Sequence, residues 1–92
     1  MLIELTLRLG EIKPEEAKDI QYRLSLHEGT YRVFVNGYAR TARVVFNPKK
    51  LSKDFILKEF EPYGYEVVSE REITLEELIE ASMSWKNTAE KT

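Results

Sequence analysis

The order of strand-like and helix-like patterns along the chain is the feature that most constrains its fold. Leu2 to Leu9 alternates apolar and polar residues, which is typical of a strand with one buried face. A helix with Pro14 in its first turn follows, then two strand-like runs, a second helix and a strand from Tyr65 to Ser69. This β-α-β-β-α-β order predicts a ferredoxin-like α+β sandwich, in which two helices cover one face of a four-stranded antiparallel sheet of order 4-1-3-2.

The two middle strands are predicted to form a hairpin, because the runs from Thr30 to Asn36 and from Tyr38 to Phe46 are rich in β-branched and aromatic residues. Asn36-Gly37 is a turn signal, and a two-residue turn would pair Val35 with Tyr38. A longer loop of the same parity leaves the same side chains on the buried face. The buried face is therefore predicted, while the register stays open.

Helix-terminus signals divide the rest of the chain. The first helix is expected to end near Gly29, and the second to begin after an N-cap at Ser52. The run from Thr74 to Glu77 is a capping box that predicts an appended helix. We therefore expect a compact domain over residues 1–71, an amphipathic helix over 72–85 and a polar, disordered tail over 86–92.

Composition indicates an ordinary soluble domain. Hydrophobic residues make up 42% of the 92 residues and charged residues 33%, with no cysteine. The N-terminus lacks a signal-peptide pattern, and no apolar run is long enough to span a bilayer. We expect a cytoplasmic protein without disulfides. A single glutamine beside abundant lysine and glutamate is compatible with a thermophilic source.

Charged residues are unevenly distributed. Residues 31–58 contain seven lysines and arginines against Asp54 alone, whereas residues 59–80 contain eight glutamates against Arg71 alone. Either these charges offset each other within one monomer, or they form a positive face for an acidic partner and a negative face for a basic one. The second interpretation predicts partner binding through the basic hairpin, the open sheet face and the appended helix: Arg32, Phe34, Arg40, Arg43, Val45, Lys49, Lys50, Met83 and Trp85.

The appended helix has two interpretations. It folds across the open sheet face and covers Phe34, Val45 and Val68, or it projects and presents Met83 and Trp85 to another protein. Tryptophan is enriched among the residues that dominate binding energy at protein interfaces, which keeps the second interpretation open.

Catalytic motifs are absent from the sequence. It has one histidine, His27, and its four glycines do not form a phosphate-binding loop. Glu11, Glu15 and Glu16 could hold a hard cation, but carboxylates near a helix N-terminus are also favourable without one. We expect neither an enzyme nor a bound metal or cofactor.

The run from Val33 to Val68, V-F-V-N-G-Y-A-R-T-A-R-V-V-F-N-P-K-K-L-S-K-D-F-I-L-K-E-F-E-P-Y-G-Y-E-V-V, resembles the second half of heavy-metal-associated (HMA) domains. The resemblance covers roughly residues 2–69 and implies their fold. Those domains carry Cys-x-x-Cys at the start of the first helix, whereas this chain has Gly10-Glu11-Ile12-Lys13-Pro14-Glu15-Glu16 there. Thiolates select Cu(I) and other soft ions, so we expect the metal-carrier function to be missing.

The chain is also similar to the cysteine-free, HMA-like small subunit that accompanies archaeal B-family DNA polymerases. That resemblance implies an accessory subunit that stabilises a replicative holoenzyme without catalysis of its own. Two alternatives stay open: a nucleic-acid-binding module that uses the basic hairpin, and a metal chaperone whose ligands are not cysteines.

Overall fold

The predicted fold is confirmed. The computed structural model describes residues 1–80, so Met83 and Trp85 lie outside the described residues. The sheet is antiparallel with the order β2-β3-β1-β4, which is the predicted 4-1-3-2 read from the other edge. Its elements are β1 (Leu2–Leu9), α1 (Pro14–Ser25), β2 (Thr30–Asn36), β3 (Thr41–Phe46), α2 (Lys53–Phe60), a 3₁₀ turn (Glu61–Tyr63) and β4 (Tyr65–Ile73). Residues 75–80 are helical as well, which confirms the appended helix over its described part.

The core lies between the sheet and the two helices. β1 is a central strand, and its Leu5 and Leu7 have no exposed surface. Alternation places the side chains of the paired residues in β3 on the same face, where both helices contribute apolar stripes. The central part of this core consists of Leu5, Leu7, Leu9, Ala17, Ile20, Leu24, Ala42, Val44, Phe46, Ile56 and Phe60.

The helix starts were predicted more accurately than the helix ends. The Ser52 hydroxyl accepts a hydrogen bond from the Phe55 N–H at 3.2 Å, which confirms the N-cap of α2. However, α1 ends at Ser25 and not near Gly29. Gly29 serves close packing instead, because a Cβ there would lie 2.8 Å from the Cβ of Leu51.

The hairpin uses the longer of the two loops left open by the sequence. Val35 pairs with Ala42, so the two-residue Asn36-Gly37 turn is wrong and β3 begins only at Thr41. The Asn36 side-chain oxygen accepts hydrogen bonds from the N–H groups of Tyr38 and Ala39, both at 2.9 Å. This amide satisfies the loop backbone locally, which a tight turn would not need.

β4 is longer than predicted, because it continues past Ser69 to Ile73 and pairs Ile73 with Leu2. Leu2, Ile73 and Val45 form a small apolar cluster on the face opposite the helices, and Leu78 of the appended helix packs against it. Thr74 and Glu77 form the predicted capping box, in which the Glu77 N–H donates to the Thr74 hydroxyl at 3.1 Å.

The described part of the appended helix therefore covers only a corner of the open face. Val45 is fully buried, as expected for a helix that folds across the sheet. The other two side chains expected under it are not covered, since Phe34 is 58% exposed and Val68 is 54% exposed.

The buried face of β1 predicts how a core substitution changes the free energy of unfolding. Leu7→Ala is expected to lower the free energy of unfolding by about 2–5 kcal/mol, because it leaves a cavity among packed neighbours. Leu26→Ala, at a site that is 67% exposed, is the matched control and should change it by less than about 0.5 kcal/mol. Urea unfolding monitored by circular dichroism measures both. Equal effects would mean that β1 does not anchor the core.

Candidate protein-binding face

The face of the sheet opposite the helices carries its polar side chains in cross-strand rows. The register places Phe34 beside Arg43, Arg43 beside Thr6, and Thr6 beside Ser69. A neighbouring row runs through Arg32, Val45, Glu4 and Arg71 in the same way. We call this surface the open face.

A groove of about 570 Å³ lies on the β2–β3 half of the open face. Phe34 is exposed over 58% of its surface, and the exposed Arg43 lies directly across the hairpin from it. Within the described part of the chain, the Arg43 guanidinium forms no ion pair. We call this the Phe34 groove, and it is lined by Thr6, Arg32, Val33, Phe34, Thr41, Ala42 and Arg43.

Opposite charges are paired on the β1–β4 half of the open face. Arg71 donates to the Glu4 carboxylate at 2.9 Å, and this hydrogen bond raises the pKa of Arg71. Arg8 Nη1 and Glu66 Oε1 lie 3.3 Å apart and form a second ion pair. Each of these arginines therefore has a carboxylate beside it, whereas Arg43 in the Phe34 groove has none in the described residues.

The structure separates the basic residues that the sequence grouped together. Arg32, Phe34 and Arg43 lie together in the Phe34 groove. Arg40 lies at the hairpin end of β3, in a smaller depression with the loop between β1 and α1. Lys49 and Lys50 lie beyond the other end of β3, where Lys50 is 3.7 Å from Glu28.

One other predicted residue, Val45, is not part of the groove surface, and the groove is lined in part by residues that were not predicted. Val45 is buried in the cluster under Leu78 and is not available to a partner. Thr6 and Thr41 line the groove although neither was a candidate for partner binding. Their period-two spacing with Arg8 and Arg43 was the available signal, since it places them on the open face.

The loop that leads into α1 is packed and capped. Glu16 accepts a hydrogen bond from the Lys13 N–H at 2.9 Å, so it serves as a helix cap. Burial and the neighbouring Glu16 carboxylate raise the pKa of Tyr63. A Cβ on Gly37 would lie 2.6 Å from the Pro14 Cα, so the hairpin loop packs against the start of α1.

The loop between β1 and α1 does not bring potential metal ligands together. Glu11 and Glu15 are exposed while Glu16 is used as a cap, and no cluster of three histidine, aspartate or glutamate side chains with metal-binding geometry occurs in residues 1–80. Over the same residues, no helix is both long enough and apolar enough to cross a membrane.

Comparison with known proteins gives a family. Residues 6–89 match the family described as "Protein of unknown function (DUF3213)". The chain belongs to this family. No curated protein matches its sequence.

Solved structures of metal-binding domains are similar to this DUF3213 protein in fold. A copper binding domain from HMA7, a P-type ATPase, is 19% identical with a TM-score of 0.62, over 76% of this chain and 99% of that one. Oxidized MerP from Ralstonia metallidurans CH34 is 24% identical with a TM-score of 0.61, over 75% and 100%. The N-terminal domain of a potential copper-translocating P-type ATPase from Bacillus subtilis, Cu(I)-loaded, is 24% identical with a TM-score of 0.65, over 79% and 95%.

These similarities confirm the expected HMA-like fold. At such low identity they establish the fold alone, and the ligands have to be judged on this chain. It has no cysteine, so the thiolate donors that suit Cu(I) are missing from its sequence.

The donor set gives a prediction about metal binding. We expect less than stoichiometric Cu(I) or Zn(II) on the protein after anaerobic loading and desalting, because single exposed carboxylates bind these ions weakly. Inductively coupled plasma mass spectrometry measures the metal-to-protein ratio. Glu11→Gln/Glu15→Gln is the matched variant, and any trace of metal should not depend on it. One tightly held ion per chain that this variant loses would restore metal handling as the function.

Proposed function

We propose that this chain is a non-catalytic interaction module, which docks on a larger protein through the Phe34 groove. The observation that carries the proposal is an aromatic ring that is 58% exposed beside an exposed arginine, on the part of the open face that the described residues of the appended helix do not cover. Scattered apolar residues on a surface are ordinary, but an aromatic ring in a groove with convergent polar groups is typical of a binding site.

The composition of the groove favours a protein partner. Aromatic residues and arginine are enriched in protein–protein interfaces, because each covers a large area with a polar or charged end. Burying the remaining exposed surface of Phe34 removes apolar area from water, at about 25 cal/mol per Å². The Arg43 guanidinium can then form a charge-assisted hydrogen bond to a partner carboxylate, and the Thr6 and Thr41 hydroxyls can donate or accept.

The larger assembly is the finer part of the proposal. The similarity to the small subunit of archaeal B-family DNA polymerases makes a replicative polymerase the named candidate partner, with stabilisation of the holoenzyme as the role. Met83 and Trp85, outside the described residues, and Arg40, Lys49 and Lys50, at the two ends of β3, are proposed as additional contacts.

Substitutions in the groove test the docking surface. Phe34→Ala and Arg43→Glu are each expected to weaken partner binding by about tenfold or more, because truncating a central interface residue costs about 1–2 kcal/mol or more. Tyr22→Ala and Lys18→Glu are the matched controls, since both residues are exposed on α1 at the other side of the molecule. Tagged proteins are recovered from the cells that naturally make them, and co-purified proteins are quantified by mass spectrometry.

The result tests two claims separately, docking through the Phe34 groove and the identity of the partner. A partner that is lost with the groove variants and retained with the α1 variants supports the module, and its identity tests the polymerase assignment. Unchanged melting temperatures for all four variants show that the loss is not caused by unfolding. A partner retained equally by all four variants would contradict docking through the groove.

Single-stranded nucleic acid is the second candidate ligand, because Phe34 lies between Arg32 and Arg43 on an open sheet. Bases stack on exposed aromatic rings, while guanidinium groups bind phosphates. Fluorescence anisotropy with a labelled single-stranded oligonucleotide tests this. Binding that falls steeply with salt, and with Phe34→Ala but not Tyr22→Ala, would favour the nucleic-acid module over the protein-binding module.

A further inference from the structure

The two edges of the sheet are protected to different extents. β2 is one edge strand and β4 is the other. At the β2 edge, the Gln21 side chain of α1 accepts a hydrogen bond from the Val35 N–H at 2.8 Å. An outward-facing donor of β2 is thereby occupied by a side chain of the chain itself, which hinders the addition of another strand there.

The β4 edge has no comparable cap in the described part of the chain. Its nine residues are exposed except for Ile73, and among the described residues no backbone hydrogen bond joins β4 to any element other than β1. A β-bulge at Val67 and Val68, opposite Leu7, divides the strand. The stretch from Ser69 to Ile73 then continues in regular register.

The direction of the backbone groups in this stretch follows from β1. The Leu9 N–H donates to the Arg40 carbonyl on the β3 side, and the Gly10 N–H donates to the Gly64 carbonyl on the β4 side. Alternation along β1 then directs the backbone groups of its even-numbered residues toward β4. Thr6 and Glu4 therefore pair with Ser69 and Arg71 through hydrogen bonds, and the intervening residues of β4 direct their N–H and C=O groups outward. These outward residues are Glu70 and Glu72.

We propose that the outer edge of β4 between Ser69 and Ile73 accepts an extended, basic segment of another protein as a fifth strand. Main-chain hydrogen bonds to Glu70 and Glu72 would hold such a segment, as in other cases of strand addition. The strand carries Glu66, Glu70 and Glu72 against Arg71 alone, and the adjoining helix adds further carboxylates. Glu66 and Glu70 already form ion pairs, with Arg8 and with Lys53 of α2, whereas Glu72 has none among the described residues, so Glu72 is the main carboxylate for a basic partner. Lysine or arginine in the added strand complements these cross-strand neighbours.

A second copy of this chain fits the same edge poorly. In an antiparallel pairing of two β4 strands, the outward groups of one copy must meet the outward groups of the other. The registers that overlap the Ser69–Ile73 stretch most fully place Glu70 opposite Glu70, Glu70 opposite Glu72, or Glu72 opposite Glu72. Each register sets like charges directly across the pair, which is unfavourable. The charge pattern therefore disfavours self-association and suits a basic partner.

A peptide titration tests the proposal. The probe is acetyl-Thr-Lys-Val-Lys-Val-Lys-Thr-amide, added to the full-length ¹⁵N-labelled protein. We expect shifts and slowed hydrogen exchange at the Glu70 and Glu72 amides, with the Val35 amide unchanged. The same peptide with glutamate in place of lysine should not bind. A lysine peptide N-methylated at its central lysine and a neighbouring valine loses donors on both edges and should bind at least about tenfold more weakly.

A matched pair of variants localises the site. Glu72→Pro removes one outward N–H without removing a donor to β1, and proline is tolerated at such edge positions. It should weaken the lysine peptide about tenfold, whereas Glu72→Ala, which keeps the N–H, should weaken it only a few-fold. An unchanged amide spectrum elsewhere shows that the fold is intact.

Three results would overturn the proposal. One is no binding of the lysine peptide at all. Another is equal binding of the plain and N-methylated peptides, which indicates charge attraction without strand pairing. The third is a set of shifts centred on β2 or on the Phe34 groove. The N-methylated peptide leaves the protein unaltered, so this test does not depend on the folding of any variant.

Discussion

β1 lies between β3 and β4 and pairs with both, so its register sets the register of the whole sheet. Leu5 and Leu7 lie under the helices with no exposed surface, while Glu4, Thr6 and Arg8 point to the other side of the sheet. A shift of one residue would expose both leucines and bury charges, so the register has only one favourable phase. Once that phase is set, pairing transfers it to β3 and β4, and through β3 to β2. The rows that form the Phe34 groove and the outward direction of Glu70 both follow from it.

The fold of metal-binding domains is present here with a different distribution of chemistry. In HMA domains the thiolates lie at the start of the first helix. Here that position is a capped helix start, in which Glu16 accepts a hydrogen bond from the Lys13 N–H and Pro14 packs against Gly37. The exposed aromatic and the arginine without an ion pair in the described residues lie instead on the sheet. In the account proposed here, the sheet surface and its edge carry the function, and the loop serves stability.

Local patterns predicted the fold well, and long-range packing limited the rest. The period-two alternation of β1, the N-cap at Ser52 and the capping box at Thr74 are local signals, and each is confirmed. The end of α1 was predicted wrongly because Gly29 is needed for close packing against Leu51, which is distant in sequence, and not for ending the helix. The sequence left the length of the hairpin loop open for a related reason, since Gly37 packs against Pro14, another distant contact. The extension of β4 to Ile73 depends on pairing with Leu2, which no local signal reveals.

In the candidate site, too, local patterns predicted some features and long-range packing decided the others. Alternation correctly brought Arg32, Phe34 and Arg43 to one face, because parity alone decides which side of a strand a residue occupies. The count of charges over residues 31–58 grouped Arg40 with Lys49 although they lie at opposite ends of β3, because such a count ignores where each charge lies along the strand. It also could not show which arginines already have carboxylate partners. Arg71 is paired with Glu4, while Arg43 beside Phe34 has no ion pair among the described residues, and this difference is visible only in the fold.

Oxidative footprinting of the protein in its native complex and alone tests the central claim most directly. Phe34 on the open face and Tyr22 on α1 are aromatic and similarly exposed, at 58% and 66%, so each is an internal reference for the other. Docking through the Phe34 groove predicts that hydroxyl-radical modification of Phe34 falls strongly in the complex while modification of Tyr22 stays the same. Protection of Tyr22 with Phe34 still fully reactive would contradict the account.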